Sequence, residues 1–188
     1  VGDDVSRLPA ENFLRLEAQG ALARVTSDEE IKAWWPTMGA ANYANGAGGL
    51  RAAGKLYLYL NSGEVIKRAD AALDYVRRPE LVRGELGDYL LPEGNDVTVN
   101  IACSLAGGTG SGMFLTIAKL LRAKLQQDAD QICAYFLLPD IFNSKPGLNK
   151  YAEINTYAAL LELEAAMDTL VVGESERFRF GTFSQAIK

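Results

Sequence analysis

Histidine is absent from the 188-residue chain. That removes Ser-His-Asp and Cys-His catalysis together with the commonest zinc ligand, so any chemistry must run on carboxylates, Lys or Arg, backbone dipoles or a bound Mg²⁺. Cysteine is scarce. Cys103 and Cys133 are the only two, both in apolar strand-like segments, where they read as small buried hydrophobes rather than a disulfide framework. A surplus of positive charge is missing as well. The net charge is -5 with 23% charged residues, which lacks the basic footprint of a nucleic-acid binder, so no nucleic-acid partner is expected. The longest apolar run, Ile132 to Pro139, falls far short of the ~20 residues that cross a bilayer. Residues 1–20 carry no basic-then-apolar signal pattern. No membrane insertion is expected, and the cytoplasm is the expected compartment.

What is present is 48% hydrophobic residues, enough for one sizeable core at roughly 100–200 residues per domain. Residues 1–188 are therefore expected to form a single domain, with residues 1–40 supplying peripheral helices. Asn12 to Ala23 reads as helix; Asp28-Glu29-Glu30 reads as the acidic first turn of a short helix that Trp34-Trp35-Pro36 ends. Asn45 to Gly49 is a glycine-rich loop before a helical stretch through Lys55 and Tyr59. After Asn61-Ser62-Gly63, the residues Val65, Ile66, Ala69, Leu73 and Val76 recur on one helical face. Arg77 to Asn95 reads as connection.

From Asp96 the punctuation sharpens. Val97, Val99 and Ile101 alternate with polar neighbours up to Cys103, a strand pattern. A turn from Gly107 to Gly112 leads into a helix from Met113 to Leu125 with Phe114, Ile117, Ala118, Leu121 and Leu125 as its stripe. Ile132 to Leu138 is a nearly unbroken apolar run, as in a parallel strand covered on both faces. Asp128 and Asp130, in the linker before it, read as solvated surface. A loop from Pro139 to Asn149 then precedes a helix over Tyr151 to Leu170, with Ile154, Ala158, Leu161 and Ala165 on one side. This succession predicts an α/β fold, a Rossmann-like three-layer domain with a mainly parallel sheet.

The candidate site is Ala106-Gly107-Gly108-Thr109-Gly110-Ser111-Gly112, where a strand hands the chain to a helix. Ligands bind α/β sheets just beyond the carboxyl ends of the strands. Glycines admit close approach to the backbone, consecutive N–H groups can converge on an anion, and the next helix presents its positive dipole end. Thr109 and Ser111 add hydroxyls, so a polyphosphate is the expected ligand. On this reading a β-branched residue at Gly108 or Gly110 should abolish nucleotide binding and leave a folded protein. The spacing fits neither the Gly-x-x-x-x-Gly-Lys-Ser/Thr loop nor the Gly-x-Gly-x-x-Gly dinucleotide turn.

Ser104 to Met113 closely resembles the signature loop of the tubulin/FtsZ superfamily, departing at Ala106, where that family usually has its first glycine. A second stretch, Asn45 to Lys55, resembles the loop that in tubulins senses the γ-phosphate, with Gly46-Ala47-Gly48 and a later glycine at matching positions; the resemblance makes Gly46, Ala47, Gly48, Gly49 and Arg51 the candidate γ-phosphate residues. Arg51 and Lys55 could neutralise phosphate charge or be solvated. Leu138-Pro139 and the segment Asn155 to Leu163 resemble the ribose-contacting loop and its following helix. Asp140 and Asn155 suit ribose or base contact, and equally a loop carboxylate and a helix-capping amide. With Trp34-Trp35-Pro36, the combination resembles the bacterial tubulin-like branch.

The resemblance, over about residues 40 to 170, implies a tubulin-type nucleotide-binding domain holding GTP or GDP with Mg²⁺. It implies a GTPase that self-assembles head to tail into filaments, with hydrolysis completed by a neighbouring subunit's acidic loop. The family's first phosphate loop and that acidic loop are not found here, so the chain is expected to be an internal portion of a longer protein. No residue is an obvious general base, and no side-chain metal ligand is assigned. Two alternatives stay open: a nucleotide-binding switch or scaffold module that does not polymerise, and an unrelated α/β enzyme binding a dinucleotide or sugar phosphate.

Overall fold

The computed structural model describes residues 14, 16, 27–35, 47–78, 96–125, 129–142 and 151–172. Most of the helix expected over Asn12 to Ala23 lies outside them, as do most of the connection from Arg77 to Asn95, Pro36, Gly46 and residues 143–149.

The first described helix, α1 (Glu29–Trp34), starts where the acidic triplet predicts. Asp28 is its cap, accepting from the backbone N–H groups of Glu30 at 3.0 Å and Ile31 at 3.3 Å, which satisfies two of the donors every helix start leaves unpaired. Ile31 is fully buried against Leu56, with Trp34, Trp35 and Tyr59 packed around the pair. Leu56 belongs to α2 (Arg51–Leu60), and Asn61 alone separates α2 from α3 (Ser62–Val76). The apolar face expected on α3 is only half-buried, and Val76 is exposed.

Strand β1 (Thr98–Ser104) and strand β2 (Gln131–Leu137) pair in parallel, Thr98 opposite Gln131 and Ser104 opposite Leu137. Between them runs α4 (Gly108–Lys124), and a four-residue 3₁₀ turn (Pro139–Phe142) leads on toward α5 (Ala152–Val172). One face of the pair, with Ile101, Cys103 and Phe136, packs on Leu105, Phe114 and Leu115 beside α5 residues Ala159, Leu163 and Ala166. Phe114 meets Phe136 edge to face at 5.0 Å, a favoured aromatic geometry. On the other face Tyr135 and Leu137 are 60% and 50% exposed. The apolar run predicted cover on both faces; among the described residues it has cover on one.

Three further expectations are corrected. Helix α4 begins at Gly108, not Met113, so the glycines form its first turn. The side of α5 turned inward carries Asn155, Thr156, Ala159 and Ala166, while Ile154 and Leu161 are 66% and 46% exposed. Ala159 and Ala166 of that side pack on Leu105, Phe114 and Leu115, with Leu163 beside them. Asp130 is not solvated surface: its side chain is fully buried, accepting from the Val97 N–H at 2.8 Å and the Arg77 guanidinium at 2.6 Å.

Glycine decides how α2 meets α4. A Cβ added at Gly54 would lie closer than 3.0 Å to Gly108 O, one at Gly108 closer than that to Leu50 N, and one at Gly112 to Arg51 O. The two helices touch backbone to backbone. Gly110 faces β1 instead, its missing Cβ leaving room for Ser104 O and Cys103.

Candidate functional site

At the carboxyl end of β1 the ladder extends by one bond, Leu105 N–H to Leu137 O at 3.1 Å, and the fully buried Leu105 anchors the turn. Ala106 N–H then donates to Ser104 Oγ at 3.2 Å. Gly107 caps α4 in an extended conformation, φ -88 and ψ 159, and offers no side chain to the helix. The first-turn N–H groups of Gly108, Thr109 and Gly110 have no intrahelical acceptor by construction. The first turn also holds no acidic residue, so the positive dipole end of a 17-residue helix is uncompensated. Gly107 and Thr109 are exposed, and a Cβ built on Gly107 would meet nothing within 4 Å. Ser111 points the other way: it is buried, and its hydroxyl donates to Gly107 O. Thr109 thus carries the one exposed hydroxyl of the segment.

The second glycine loop lies against the first. Leu50 N–H closes a turn on Ala47 O at 2.8 Å. Gly48 and Gly49 adopt φ 56 and φ 79, left-handed values that cost a residue with a Cβ roughly 1–2 kcal/mol. Space over Gly48 is open, as over Gly107. Gly46 lies outside the described residues, but Ala47, Gly48, Gly49 and Arg51 are brought to the same sheet end as Ala106 to Gly112. Leu50 joins the two, its backbone resting in the space that Gly108 leaves. Two glycine segments some sixty positions apart are therefore one surface, the arrangement the tubulin resemblance implied. A family model described as tubulin-like matches residues 9–184. The chain belongs to the tubulin-like family. No curated protein and no solved structure matches it.

In this tubulin-like chain the charged residues near the loops are committed to one another. Arg51, expected at the phosphate, sends Nε and Nη2 to Ser111 O at 3.3 and 3.1 Å and grips Glu162 with Nη1, at 3.0 Å from Oε1, and Nη2, on Oε2. Nothing in the sequence pointed to Glu162, which sits in an apolar stretch of α5. Planar guanidinium–carboxylate pairing of this kind is strong and directional. Lys55, one turn along α2, lies with Nζ 4.4 Å from the Trp34 ring centroid. Burial lowers its pKa, and the carboxylates of Glu162 and Glu30 oppose that shift. Lys119 is lowered by burial too, again opposed by Glu162. Glu162 thus offsets three cations. Glu162→Gln should cost about 1.5–3 kcal/mol, the worth of hydrogen bonds to a charged group, read as a lower urea midpoint at unchanged slope.

Asn155 is also buried and close to the loops. Its Nδ2 donates to Gly49 O at 2.8 Å and Ala106 O at 3.1 Å, one carbonyl from each glycine segment. Asp140 is exposed on the 3₁₀ turn at the same end of the sheet. Cys103 lies beneath the turn, where burial pushes its thiol pKa up and keeps it a poor nucleophile at neutral pH. Among the described residues no three His, Cys, Asp or Glu side chains gather to hold a metal, and no helix is long and apolar enough to cross a membrane.

Proposed function

We propose that the chain binds GTP and GDP, with the phosphates received by the N–H groups of Gly107, Gly108, Thr109 and Gly110 and the third phosphate read by the loop at Ala47 to Gly49. The observation that carries this reading is an α4 start without side-chain cap or first-turn acid, with open space over its cap residue Gly107 and over Gly48 in the second glycine loop beside it. Membership of the tubulin-like family favours guanine nucleotide over other polyphosphates. Mg²⁺ would be held chiefly by phosphate oxygens and water, as this ion commonly is. Residues 1–188 act as one nucleotide-binding domain, and Asp140 is a candidate for the ribose.

Hydrolysis follows from the same chemistry. Phosphoryl transfer needs positioning and charge stabilisation more than covalent help, and backbone N–H groups with a cation supply both. We infer a GTPase that self-assembles head to tail, a neighbouring subunit completing the water-activating machinery. Sedimentation of the chain with GTP tests this: pelleting with GTP supports assembly, and binding without pelleting favours a non-polymerising switch.

Binding itself is tested by thermal shift. Ligand at a hundredfold excess over Kd should stabilise by about 2.7 kcal/mol, which is a rise of roughly 5–10 °C for a domain of this size. GTP should produce it and NAD should not. A shift with NAD alone would instead favour a dinucleotide enzyme.

A further inference from the structure

The Asn155 amide offers two hydrogens. Both go to backbone carbonyls, Gly49 O and Ala106 O, and the residue is only 6% exposed. No donor remains for a ribose or a base. The two carbonyls are instructive because one belongs to the peptide that leaves the Ala47 to Gly49 loop and the other to the peptide that enters the loop before α4. In a trans peptide the C=O and the following N–H point in opposite directions. With Ala106 O turned toward α5, the N–H of exposed Gly107 is turned away from α5; with Gly49 O likewise held, the Leu50 N–H faces its acceptor, Ala47 O.

We propose that Asn155 is a positioning residue for the polyphosphate site: by holding Gly49 O and Ala106 O it fixes the spacing of the two glycine loops and aims the Gly107 N–H outward. The proposal rests on the phosphate reading above for its ligand, though the tether stands without it. The Arg51–Glu162 pair ties α2 to the same helix two turns further on. Helix α5 therefore holds both loops from one side, and a ligand that spans both depends on that hold more than one touching a single loop.

The experiment uses Asn155→Ala and Asn155→Leu in the full chain, the second keeping side-chain volume. Without ligand, amide exchange at Leu50 and Ala106 should rise about tenfold, with α3 unchanged. Unchanged exchange at both positions overturns the tether, whether or not any nucleotide binds. With ligand, affinity for GTP and for inorganic tripolyphosphate should fall together by about tenfold. Loss of GTP with tripolyphosphate unaffected would mean that Asn155 touches the nucleoside, and overturns the proposal. Leu73→Ala in α3, a control for general loosening, should leave tripolyphosphate affinity as in the parent chain. If the parent chain binds neither GTP nor tripolyphosphate, the phosphate reading fails and the exchange result alone decides the tether.

Discussion

Gly112→Val is expected to cost about 3 kcal/mol or more, at the upper end of what overpacking a filled site does, and to lower the urea midpoint of the chain accordingly. A Cβ there would lie closer than 3.0 Å to Arg51 O and 3.1 Å from Lys55 N. Backbone on the far side cannot change rotamer, so α2 would have to lift off α4. That would disturb Ala53 and Tyr57, buried in one apolar cluster, and Leu56 in another. The expectation that Gly108 and Gly110 could accept a β-branched residue in a folded protein is corrected on the same ground: a Cβ at Gly108 meets Leu50, and one at Gly110 meets Ser104 O. An unchanged midpoint in Gly112→Val would show that the helices do not cross this closely.

The second large effect is expected at the opposite end of the sheet. Asp130 binds the start of β1 through Val97 N–H and the end of α3 through Arg77, while its own carbonyl accepts from Arg122 of α4 at 2.8 Å. Asp130→Ala leaves Arg77, whose side chain is 26% exposed, without its carboxylate, and orphans the Val97 N–H. Removing one partner of a buried ion pair costs about 3–5 kcal/mol, a large share of the ~5–15 kcal/mol that holds a domain together. Chemical denaturation of the variant measures it. A loss below about 1 kcal/mol, the scale of an exposed pair, would contradict the placement of Asp130.

These two sites mark where the sequence could be read and where it could not. The glycine turn, the strand before it and the second glycine loop are legible because a run of glycine between strand and helix patterns has few physical uses. The parallel strand pair and the match to the tubulin-like family model bear out the tubulin-like reading of the fold. The start of α4 was missed by five positions because glycine costs about 1 kcal/mol in a helix interior, and periodicity stops at it. Tertiary contact overrides propensity here: Gly108 and Gly112 admit Leu50 and Arg51, and Gly54, a glycine inside an otherwise helical stretch, is the trace of the same crossing from the other side. The inward side of α5 differs from the apolar stripe because the side chains that turn inward include the polar Asn155 and Thr156, held by hydrogen bonds to backbone carbonyls, which apolar periodicity passes over. Asp130 could not be found from its neighbours, since a buried carboxylate between two strands has the same local sequence as a solvated one. Glu162 was hidden for the same reason, and its partner Arg51 lies 111 positions away.

The central claim is that N–H groups at the start of α4 receive phosphate, and the exposed Gly107 isolates it. Its φ of -88 suits any residue and its missing Cβ faces open space, so Gly107→Val should fold with the parent chain's melting temperature while its new methyl groups stand where phosphate oxygens would lie. Titration calorimetry of GTP into the parent and the variant is the direct measurement. The account predicts heat of binding in the parent and at least a hundredfold weaker binding, about 2.7 kcal/mol, in an equally stable variant. Equal affinity in the two would place the nucleotide elsewhere.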